Sequence, residues 1–330
     1  MKSTAIANSN IALVKYWGKK DSKLFLPNNS SISMTVDEMF TKTTVDFGNY
    51  PTDEFYLNGK RLTEGEEYKE VTGHLDLIRQ MAGEKRRARV YSENNFPTAA
   101  GLASSASGFA ALSLAGSKAA GLELDYRELS ILARRGSGSA SRSIEGGFVE
   151  WVRGERLDGA DSYGVQIAPP EHWPEFRMVV AVTQTGEKKV KSRAGMAQTV
   201  ATSPYYHGWL STVGKDLENV RKGIREKNFR LVGETAESNC LKMHATMLTT
   251  TPPIIYWNPT TVEVMHAVQD WRDDGLQSYF TIDGGPQVKV LCLEKDLDEV
   301  EERLKEIKNI KNTIVGKPGY RARLVEDHLF

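Results

Sequence analysis

The most constraining feature of the sequence is a stretch in which almost every side chain is small. Residues 98–120 consist mainly of Ala, Ser and Gly, and they follow a candidate strand that ends near Tyr91. This composition predicts a helix from about Ser104 to Leu122 that packs deeply against other elements, because small side chains let neighbouring backbones approach closely. Such a helix needs a large surrounding core, and a chain of 330 residues is long enough to bury one.

The segment that enters this helix, residues 96–108, has the composition of an anion-binding loop. Its small side chains let backbone N–H groups approach an anion, Ser104 and Ser105 can cap the helix, and the helix dipole adds partial positive charge. The segment is not a Walker A loop, because it lacks the Gly-Lys-Ser/Thr ending, and it is not a Gly-x-Gly-x-x-Gly dinucleotide turn. Composition alone is equally compatible with a tightly packed turn that binds no ligand.

Two further segments place cations beside hydrogen-bonding groups. Residues 136–143 read Gly-Ser-Gly-Ser-Ala-Ser-Arg-Ser, in which Arg142 supplies a permanent charge next to flexible backbone. Near the N-terminus, Lys15 and Lys19 flank a pair of aromatic residues. Each segment by itself is compatible with an ordinary surface loop, but together they favour a small polyanionic ligand over an extended nucleic acid.

An acidic residue and a basic loop complete the candidate reactive groups. Asp283 ends an apolar segment and precedes Gly284-Gly285-Pro286, whereas residues 188–193 read Lys-Lys-Val-Lys-Ser-Arg after a predicted strand. An Asp before two glycines is usually turn chemistry, and a basic loop is usually solvated surface. Neither motif therefore indicates a function by itself.

Composition excludes several classes of protein. Basic and acidic residues number 43 each, and a net charge of zero argues against a broad nucleic-acid or polybasic membrane surface. A neutral surface does little to resist self-association, so we expect a homodimer. The two cysteines exclude a multi-bridge disulfide scaffold and a four-cysteine zinc site. No histidine pair has metal-ligand spacing, so we expect no structural metal. The first ten residues lack the apolar core of a secretory signal, and no apolar run is long enough to span a membrane, so we expect a cytoplasmic protein.

Hydrophobic patterns predict short strands mixed with amphipathic helices. The candidate strands are Thr43 to Phe47, Ala88 to Tyr91, Phe176 to Thr183 and Val288 to Leu293. Apolar residues at spacings of three and four predict a helix from about Asp296 to Ile310. The proline-containing segment Ala168 to Phe176 has the composition of a linker. We therefore expect two domains, residues 1–180 and 181–330.

Together, the motifs resemble those of the GHMP small-molecule kinase superfamily and, within it, the mevalonate diphosphate decarboxylases. The segments similar to that family, in the family's order, are residues 10–19, 94–107, 136–142 with Gly146-Gly147-Phe148, Ser192-Arg193 and Asp283 to Pro286. The resemblance covers about residues 5–290, and the combination is specific although each motif alone is not. It implies a two-domain α+β fold with the active site in the cleft between the domains.

The resemblance also implies an activity and a set of site residues. The activity is ATP-dependent decarboxylation of mevalonate 5-diphosphate to isopentenyl diphosphate, with ATP and Mg²⁺ as cofactors and phosphorylated mevalonate as the small-molecule partner. The implied catalytic residues are Asp283, which would orient or deprotonate the reacting hydroxyl, Arg193, which would hold the substrate carboxylate, and Lys15, which would adjust the charge around Asp283. The implied substrate-binding residues are Tyr16, Trp17, Gly18, Lys19, Ser137, Gly138, Ser139 and Arg142. Of these, Tyr16, Lys19 and Arg142 would hold the phosphates of the substrate. The implied ATP-binding residues are Asn94, Gly101, Ala103, Ser104, Ser105 and Lys188.

The chain departs from the family's pattern at two places. Glu145 stands where the family often has Tyr, and Gly284 to Gln287 stand where the family often has Ala-Gly-Pro-Asn. Because an acid repels a nearby polyanion, we expect the Glu145 side chain to point away from the ligand. Three alternatives stay open: a decarboxylase that acts on mevalonate 5-phosphate, a kinase that does not decarboxylate, and an inactive ATP-binding regulator. The presence of both Arg193 and Asp283 weighs against the last two.

Overall fold

The computed structural model describes residues 1–96, 104–184, 186 and 188–330, and these residues form two main β-sheets covered by helices. The strands are β1 (Lys2–Val14), β2 (Lys19–Asp21), β3 (Leu26–Pro27), β4 (Ser31–Gly48), β5 (Glu54–Leu57), β6 (Lys60–Leu62), β7 (Arg87–Asn94), β8 (Phe148–Trp151), β9 (Gly164–Ala168), β10 (Phe176–Val182), β11 (Tyr279–Ile282), β12 (Val288–Leu293), β13 (Asn312–Gly316) and β14 (Arg323–Val325). The α-helices are α1 (Glu66–Ala82), α2 (Ser104–Ala119), α3 (Tyr126–Gly136), α4 (Ser192–Thr202), α5 (Tyr206–Glu226), α6 (Phe229–Leu248), α7 (Pro259–Asp273) and α8 (Leu297–Glu306). In this part of the chain, no helix combines the length and the apolar character needed to cross a bilayer.

The first sheet is built on the long antiparallel pair β1 and β4, and its order is β14-β1-β4-β7-β5-β6. Because β4 has 18 residues, its first part pairs with β8 while its later part pairs with β7. Strand β9 extends this sheet beside β8. The chain's last strand, β14, returns to pair with β1, so the C-terminal segment belongs to this sheet.

The small-residue helix α2 packs against β1 and β4, and the predicted deep packing is confirmed. A Cβ atom on Gly116 would lie 2.7 Å from the terminal methyl group of Ile78 in α1, so a larger residue at this position would require the Ile78 side chain to move. The helix ends at Ala119, slightly before the predicted Leu122, and Gly121 then turns the chain with a positive φ of 81°.

The second sheet has the order β11-β12-β10-β13, and α6, α7 and α8 pack against it. One large hydrophobic cluster joins it to the first sheet. In that cluster, Phe148 of β8 meets Phe176 of β10 edge to face, with ring centroids 5.5 Å apart. This shared core fixes the two sheets against each other.

Most of the predicted strands and helices are present, and several differ from the prediction in where they begin or end. Strand β12 begins and ends at the predicted residues, and the other three candidate strands lie within or coincide closely with β4, β7 and β10. Helix α8 is shorter than predicted because Ile307 already has extended backbone, with ψ 115°. The predicted linker connects β9 to β10 as a packed segment, in which Trp173 is only 3% exposed. A division at residue 180 falls inside β10, and the two-domain boundary stays a prediction.

Candidate active site

A cleft of about 320 Å³ lies where elements of both sheets meet, and most of the predicted site residues line it. The predicted residues in its lining are Lys15, Tyr16, Trp17, Lys19, Ser104, Ser105, Ser137, Gly138, Ser139, Arg142, Lys188, Arg193 and Asp283. Among the described residues, six basic and four acidic side chains line the cleft, so its net charge favours an anionic ligand. Its volume suits a small molecule.

Four of the predicted residues are not placed in this lining. Gly101 and Ala103 lie outside the described residues. Asn94 lies on β7, where its carboxamide oxygen accepts a hydrogen bond from the hydroxyl of Thr41 on the neighbouring strand, 2.6 Å away, so it contributes to the sheet. Gly18 lies beside the cleft and shapes the turn between two lining residues.

The turn at Gly18 requires glycine for two reasons. Its φ is +107°, and a Cβ atom there would lie 2.0 Å from the Tyr206 hydroxyl. That hydroxyl donates to the carbonyl of Trp17 at 2.7 Å and accepts from the Asn28 side chain at 2.8 Å. The turn thereby holds Trp17 and Lys19 in fixed positions on the cleft wall.

Asp283 lies between two buried lysines. Its Oδ1 atom is 2.7 Å from the Lys15 ammonium, which also donates to the Ala12 carbonyl at 2.8 Å. Its Oδ2 atom is 3.4 Å from the Lys289 ammonium and, within the described residues, has no hydrogen-bond partner. The carboxylate thus offers one unused acceptor atom.

The cations around Asp283 decide its ionisation. Burial alone would raise its pKa, but Lys15, Lys289 and Arg142 together outweigh that effect and hold the pKa well below its ordinary value. Asp283 is therefore a carboxylate throughout the physiological pH range. A carboxylate with such a low pKa is a good hydrogen-bond acceptor and a weak base.

Arg142 is buried and held by neutral hydrogen-bond acceptors. Its Nε atom donates to Asn10 Oδ1 at 3.1 Å and to the Ser33 hydroxyl at 3.0 Å, and its Nη1 atom donates to the Ser31 hydroxyl at 2.6 Å. Burial lowers its pKa to about 10, while Asp283 and Tyr16 oppose that shift, so the guanidinium stays charged at neutral pH. No acidic side chain forms a salt bridge with Arg142 among the described residues, so its charge is available to an anion.

The Tyr16 hydroxyl has no hydrogen-bond partner among the described residues, although it is buried at the cleft. Burial raises its pKa well above the ordinary value, so the hydroxyl stays protonated and can donate. The ring packs edge-on against Trp151, with centroids 4.7 Å apart, which fixes its direction. Because a buried donor without a partner is costly, we infer that a ligand oxygen is its natural partner.

Lys19 and Arg193 form a second cationic group around the Phe25 ring. The Lys19 ammonium lies 3.8 Å from the ring centroid, and the Arg193 guanidinium lies 5.0 Å from it. Burial, together with the neighbouring Arg193, lowers the pKa of Lys19 to about 8, although Glu70 opposes the shift. Arg193 also donates to the Glu70 carboxylate of α1.

The start of α2 presents hydroxyl groups to the cleft. Ser104 and Ser105 lie in its first turn, and the Ser105 hydroxyl is 3.3 Å from that of Ser137. On the other wall, the Lys188 ammonium donates to the Ser192 hydroxyl at 2.6 Å and to the carbonyl of Gly284. Burial lowers the pKa of Lys188 to about 8, while Asp283 opposes the shift. These groups, together with a helix N-terminus, suit a phosphate chain.

Glu145 is not part of the cleft lining. Its carboxylate lies 3.4 Å from the Arg321 guanidinium of the C-terminal segment. Burial raises its pKa, and Arg321 opposes that shift. The expectation that this acid points away from the ligand is confirmed.

Sequence reasoning missed Lys289, Glu70 and Asn10 as members of the site. A lysine within the apolar run of β12 was a usable signal, because a fully buried strand rarely carries an unpaired charge. Glu70 gave no signal, since an acid on an amphipathic helix is usually solvated. Asn10 lies in the N-terminal motif, but only the fold shows that its amide donates to the Ser139 carbonyl at 3.0 Å.

Among the described residues, no group of three or more His, Cys, Asp or Glu side chains is placed to hold a metal ion. Oxygen donors at the cleft come instead from serine hydroxyls and from separate carboxylates.

Comparison with known proteins agrees with this geometry. The family model "Diphosphomevalonate decarboxylase-like N-terminal domain" matches residues 7–164, and "Mevalonate 5-diphosphate decarboxylase C-terminal domain" matches residues 178–322. The diphosphomevalonate decarboxylase of Candida albicans is 39% identical over 313 residues, which cover 90% of this chain and 86% of the relative.

Solved structures give the same result. One is described as "MDDEF in complex with MVAPP, AMPPCP and Magnesium", and it matches with a TM-score of 0.92 and 44% identity over 99% of both chains. Mevalonate diphosphate decarboxylase from Staphylococcus aureus matches with a TM-score of 0.93 and 40% identity over 98% of both chains.

The fold and the basic cleft define an enzyme with the α+β architecture of the GHMP class, as the sequence predicted. The chain belongs to the diphosphomevalonate decarboxylase family.

Proposed function

We propose that this protein converts mevalonate 5-diphosphate and ATP into isopentenyl diphosphate, ADP, phosphate and CO₂. The observation that carries the proposal is the ionised Asp283, with a free Oδ2 atom, at a cleft that also presents two separate cationic groups. Membership of the family and the solved relative with MVAPP, AMPPCP and magnesium support the same substrates.

Asp283 is placed to orient the tertiary hydroxyl of the substrate. Its Oδ1 atom is already bound by Lys15, so the free Oδ2 atom is the one that would accept a hydrogen bond from that hydroxyl. This contact would aim the hydroxyl oxygen at the γ-phosphate of ATP. Lys15 fixes the carboxylate and balances its charge.

The positions of the two arginines favour a different division of roles from the one predicted from sequence. In mevalonate 5-diphosphate, the carboxylate is separated from the reacting carbon by one CH₂ group, whereas the diphosphate lies farther along the chain. Arg142 lies close enough to Asp283 to lower its pKa, whereas Arg193 lowers the pKa of Lys19. We therefore assign the carboxylate to Arg142, and the diphosphate to Arg193 and Lys19.

Tyr16 and the serine-rich turn line the same cleft as these two cationic groups. Both arginines lower the pKa of Tyr16 against the effect of burial, so both lie near its hydroxyl. Its free hydroxyl would donate to a diphosphate oxygen, with Ser137 and Ser139 beside it on the lining.

ATP would bind along the start of α2. Ser104 and Ser105 would donate hydroxyls to its phosphates, and Lys188 would add a cation. The serine hydroxyls fit a Mg²⁺ ion that is bound mainly through phosphates and waters, and bound Mg²⁺ neutralises the charge that builds up on the phosphates.

In the first step, the hydroxyl oxygen takes the γ-phosphoryl group, the hydroxyl proton passes to a phosphoryl oxygen, and ADP leaves. The C–O bond to the new phosphate then breaks, and the electrons of the bond to the carboxylate form the alkene as CO₂ leaves. Arg142 can hold the carboxylate in place for this step, because its own contacts are neutral groups that do not compete for its charge.

The test is purified protein with ATP, Mg²⁺ and either mevalonate 5-diphosphate or mevalonate 5-phosphate, with ADP and CO₂ measured together. We expect equal amounts of both products from the diphosphate. A higher kcat/KM on the monophosphate would assign the protein to the sibling activity, and ADP without CO₂ would make it a kinase.

We further propose that the protein is a cytoplasmic homodimer. The zero net charge supports self-association, and both cysteines are buried and unpaired, as suits a reducing compartment. Sedimentation equilibrium would give twice the 36.8 kDa chain mass for a homodimer.

A further inference from the structure

Lys289 is a charged residue in a place where the fold offers no water. It lies second in β12, between Val288 and Val290, and its side chain is 0% exposed. A lysine is almost never fully buried unless it is paired, because burial of an isolated ammonium is costly. Its presence in the strand therefore needs a partner.

The Asp283 carboxylate is one partner of this ammonium. The Lys289 ammonium lies 3.4 Å from Oδ2 and donates to the carbonyl of Gln287 at 3.2 Å. The Gln287 side chain is itself held, because it accepts from the Thr183 N–H at 2.6 Å and donates to the Gln184 carbonyl at 2.6 Å. The strand thus fixes the ammonium as an ion-pair partner beside Oδ2.

We propose that Lys289 is a positioning residue that keeps Asp283 ionised and holds its free Oδ2 atom toward the substrate hydroxyl. This inference rests on the function proposed above. The two lysines divide the work: Lys15 binds Oδ1 directly at 2.7 Å, whereas Lys289 supplies charge at Oδ2 from the protein interior. Asp283 then orients the hydroxyl as an acceptor and remains unprotonated.

The other groups around Asp283 do not replace Lys289. Arg142 and Lys188 act on Asp283 from the cleft side, where substrates also use them. On α6, burial raises the pKa of Cys240 to about 11 and lowers the pKa of His244 to about 3, so both are neutral at pH 7. Among the described residues, Lys289 is therefore the cation that acts on the carboxylate from outside the cleft lining.

The test compares the ionisation of Asp283 and the kinetics with mevalonate 5-diphosphate in the wild type, Lys289→Met and Lys289→Gln. Removal of an opposite charge at this distance should raise the pKa of the Asp283 carboxyl by about 1–3 units in both variants, read from its ¹³C signal, and should lower kcat more than it raises KM. Lys295→Met, an exposed change in the turn after β12, serves as the control and should change neither quantity. Lys289 variants with the wild-type titration of Asp283 and the wild-type kcat would overturn the proposal.

A second measurement covers variants that do not fold. The carboxyl ¹³C signal of Asp283 in the wild type, assigned by comparison with Asp283→Asn, should titrate well below the ordinary value of about 3.9. Titration at or above that value would overturn the inference without any variant of Lys289. A wild type that turns over no mevalonate phosphate would contradict the proposed function. An active wild type, with no shift in the titration of Asp283 in the Lys289 variants, would contradict only the role of Lys289.

Discussion

Arg193 of α4 is paired with Glu70 of α1, so the cleft holds a cation that the protein already neutralises. A second pair between the same regions joins Lys191 to Glu66 at 2.8 Å. Burial raises the pKa of Glu70, and Arg193 opposes that shift. A diphosphate that binds Arg193 must therefore compete with a carboxylate supplied by the protein.

Glu70→Gln should lower the KM for mevalonate 5-diphosphate, because it removes the competing negative charge. The pair is partly exposed, so we expect an effect of up to about fivefold, or about 1 kcal/mol. Steady-state kinetics at saturating ATP would measure it. Glu64→Gln, just before α1, is the matched control and should change nothing. A higher KM in Glu70→Gln would mean that Glu70 holds Arg193 in the productive position.

Asp283→Asn should bind ATP and substrate yet lose at least about 100-fold in kcat, the lower end of what a positioned catalytic carboxyl supplies. The amide cannot provide the charge that orients the hydroxyl, and Lys15 and Lys289 lose their counter-charge. Calorimetry would measure binding of ATP and substrate, and product assays stopped at fixed times would measure kcat. Asp274→Asn, on the surface, is the control. A variant that keeps a tenth of the wild-type rate would remove Asp283 from the reaction.

Arg142→Lys and Arg193→Lys should have different kinetic effects. A lysine cannot reproduce a planar, bidentate contact. If Arg142 holds the carboxylate, Arg142→Lys should mainly lower kcat. If Arg193 holds the diphosphate, Arg193→Lys should mainly raise the KM for the substrate. The opposite pattern would restore the roles that the sequence predicted, with Arg193 at the carboxylate.

Lys19 should make binding of the diphosphate pH-dependent. Because its pKa in the folded protein is about 8, the ammonium is charged below that pH and loses its charge as pH rises through it. We therefore expect kcat/KM for the diphosphate to fall as pH rises through about 8, measured with ATP saturating since Lys188 titrates in the same range. Lys19→Arg keeps its charge and should flatten the curve.

The same lysine should also distinguish the two phosphorylated substrates. Lys19→Ala should lower kcat/KM for the diphosphate far more than for the monophosphate. The difference should correspond to roughly 1.5–3 kcal/mol, the contribution of a charge-assisted hydrogen bond. Equal losses on both substrates, from parallel kinetics, would contradict a role at the second phosphate.

Gly18→Ala should destabilise the protein by at least about 1–3 kcal/mol, because a side chain at φ +107° is strained and would overlap the Tyr206 hydroxyl. The displaced turn should also raise the KM for substrate through Trp17 and Lys19. Thermal unfolding and kinetics would measure both effects. Gly214→Ala is the control, since a Cβ atom there meets nothing in the exposed middle of α5, and we expect it to stabilise slightly.

Much of the site could be predicted because its reactive side chains lie in short segments with a characteristic composition. Ser104 and Ser105 precede a small-residue helix, Asp283 precedes a glycine turn, and Arg142 lies in a serine-rich turn, so each was recognisable from its neighbours in the chain. Asn94 and Gly18 were predicted from the same motifs. In the structure, Asn94 accepts a hydrogen bond within the sheet and Gly18 forms a turn. A motif identifies a segment, and it does not say which of its side chains faces the ligand.

The sequence by itself determined the family, the α+β class and the reactive side chains, because local composition controls turns, helix starts and buried strands. Only the tertiary structure decided which of these side chains become neighbours. Lys15 and Asp283 are 268 residues apart in the chain, and Glu70 and Arg193 are 123 apart. Such pairs form only when the two sheets pack against each other. The low pKa of Asp283 follows from that packing, since the charges that lower it come from Lys15 just after β1, Lys289 in β12 and Arg142 in the serine-rich turn.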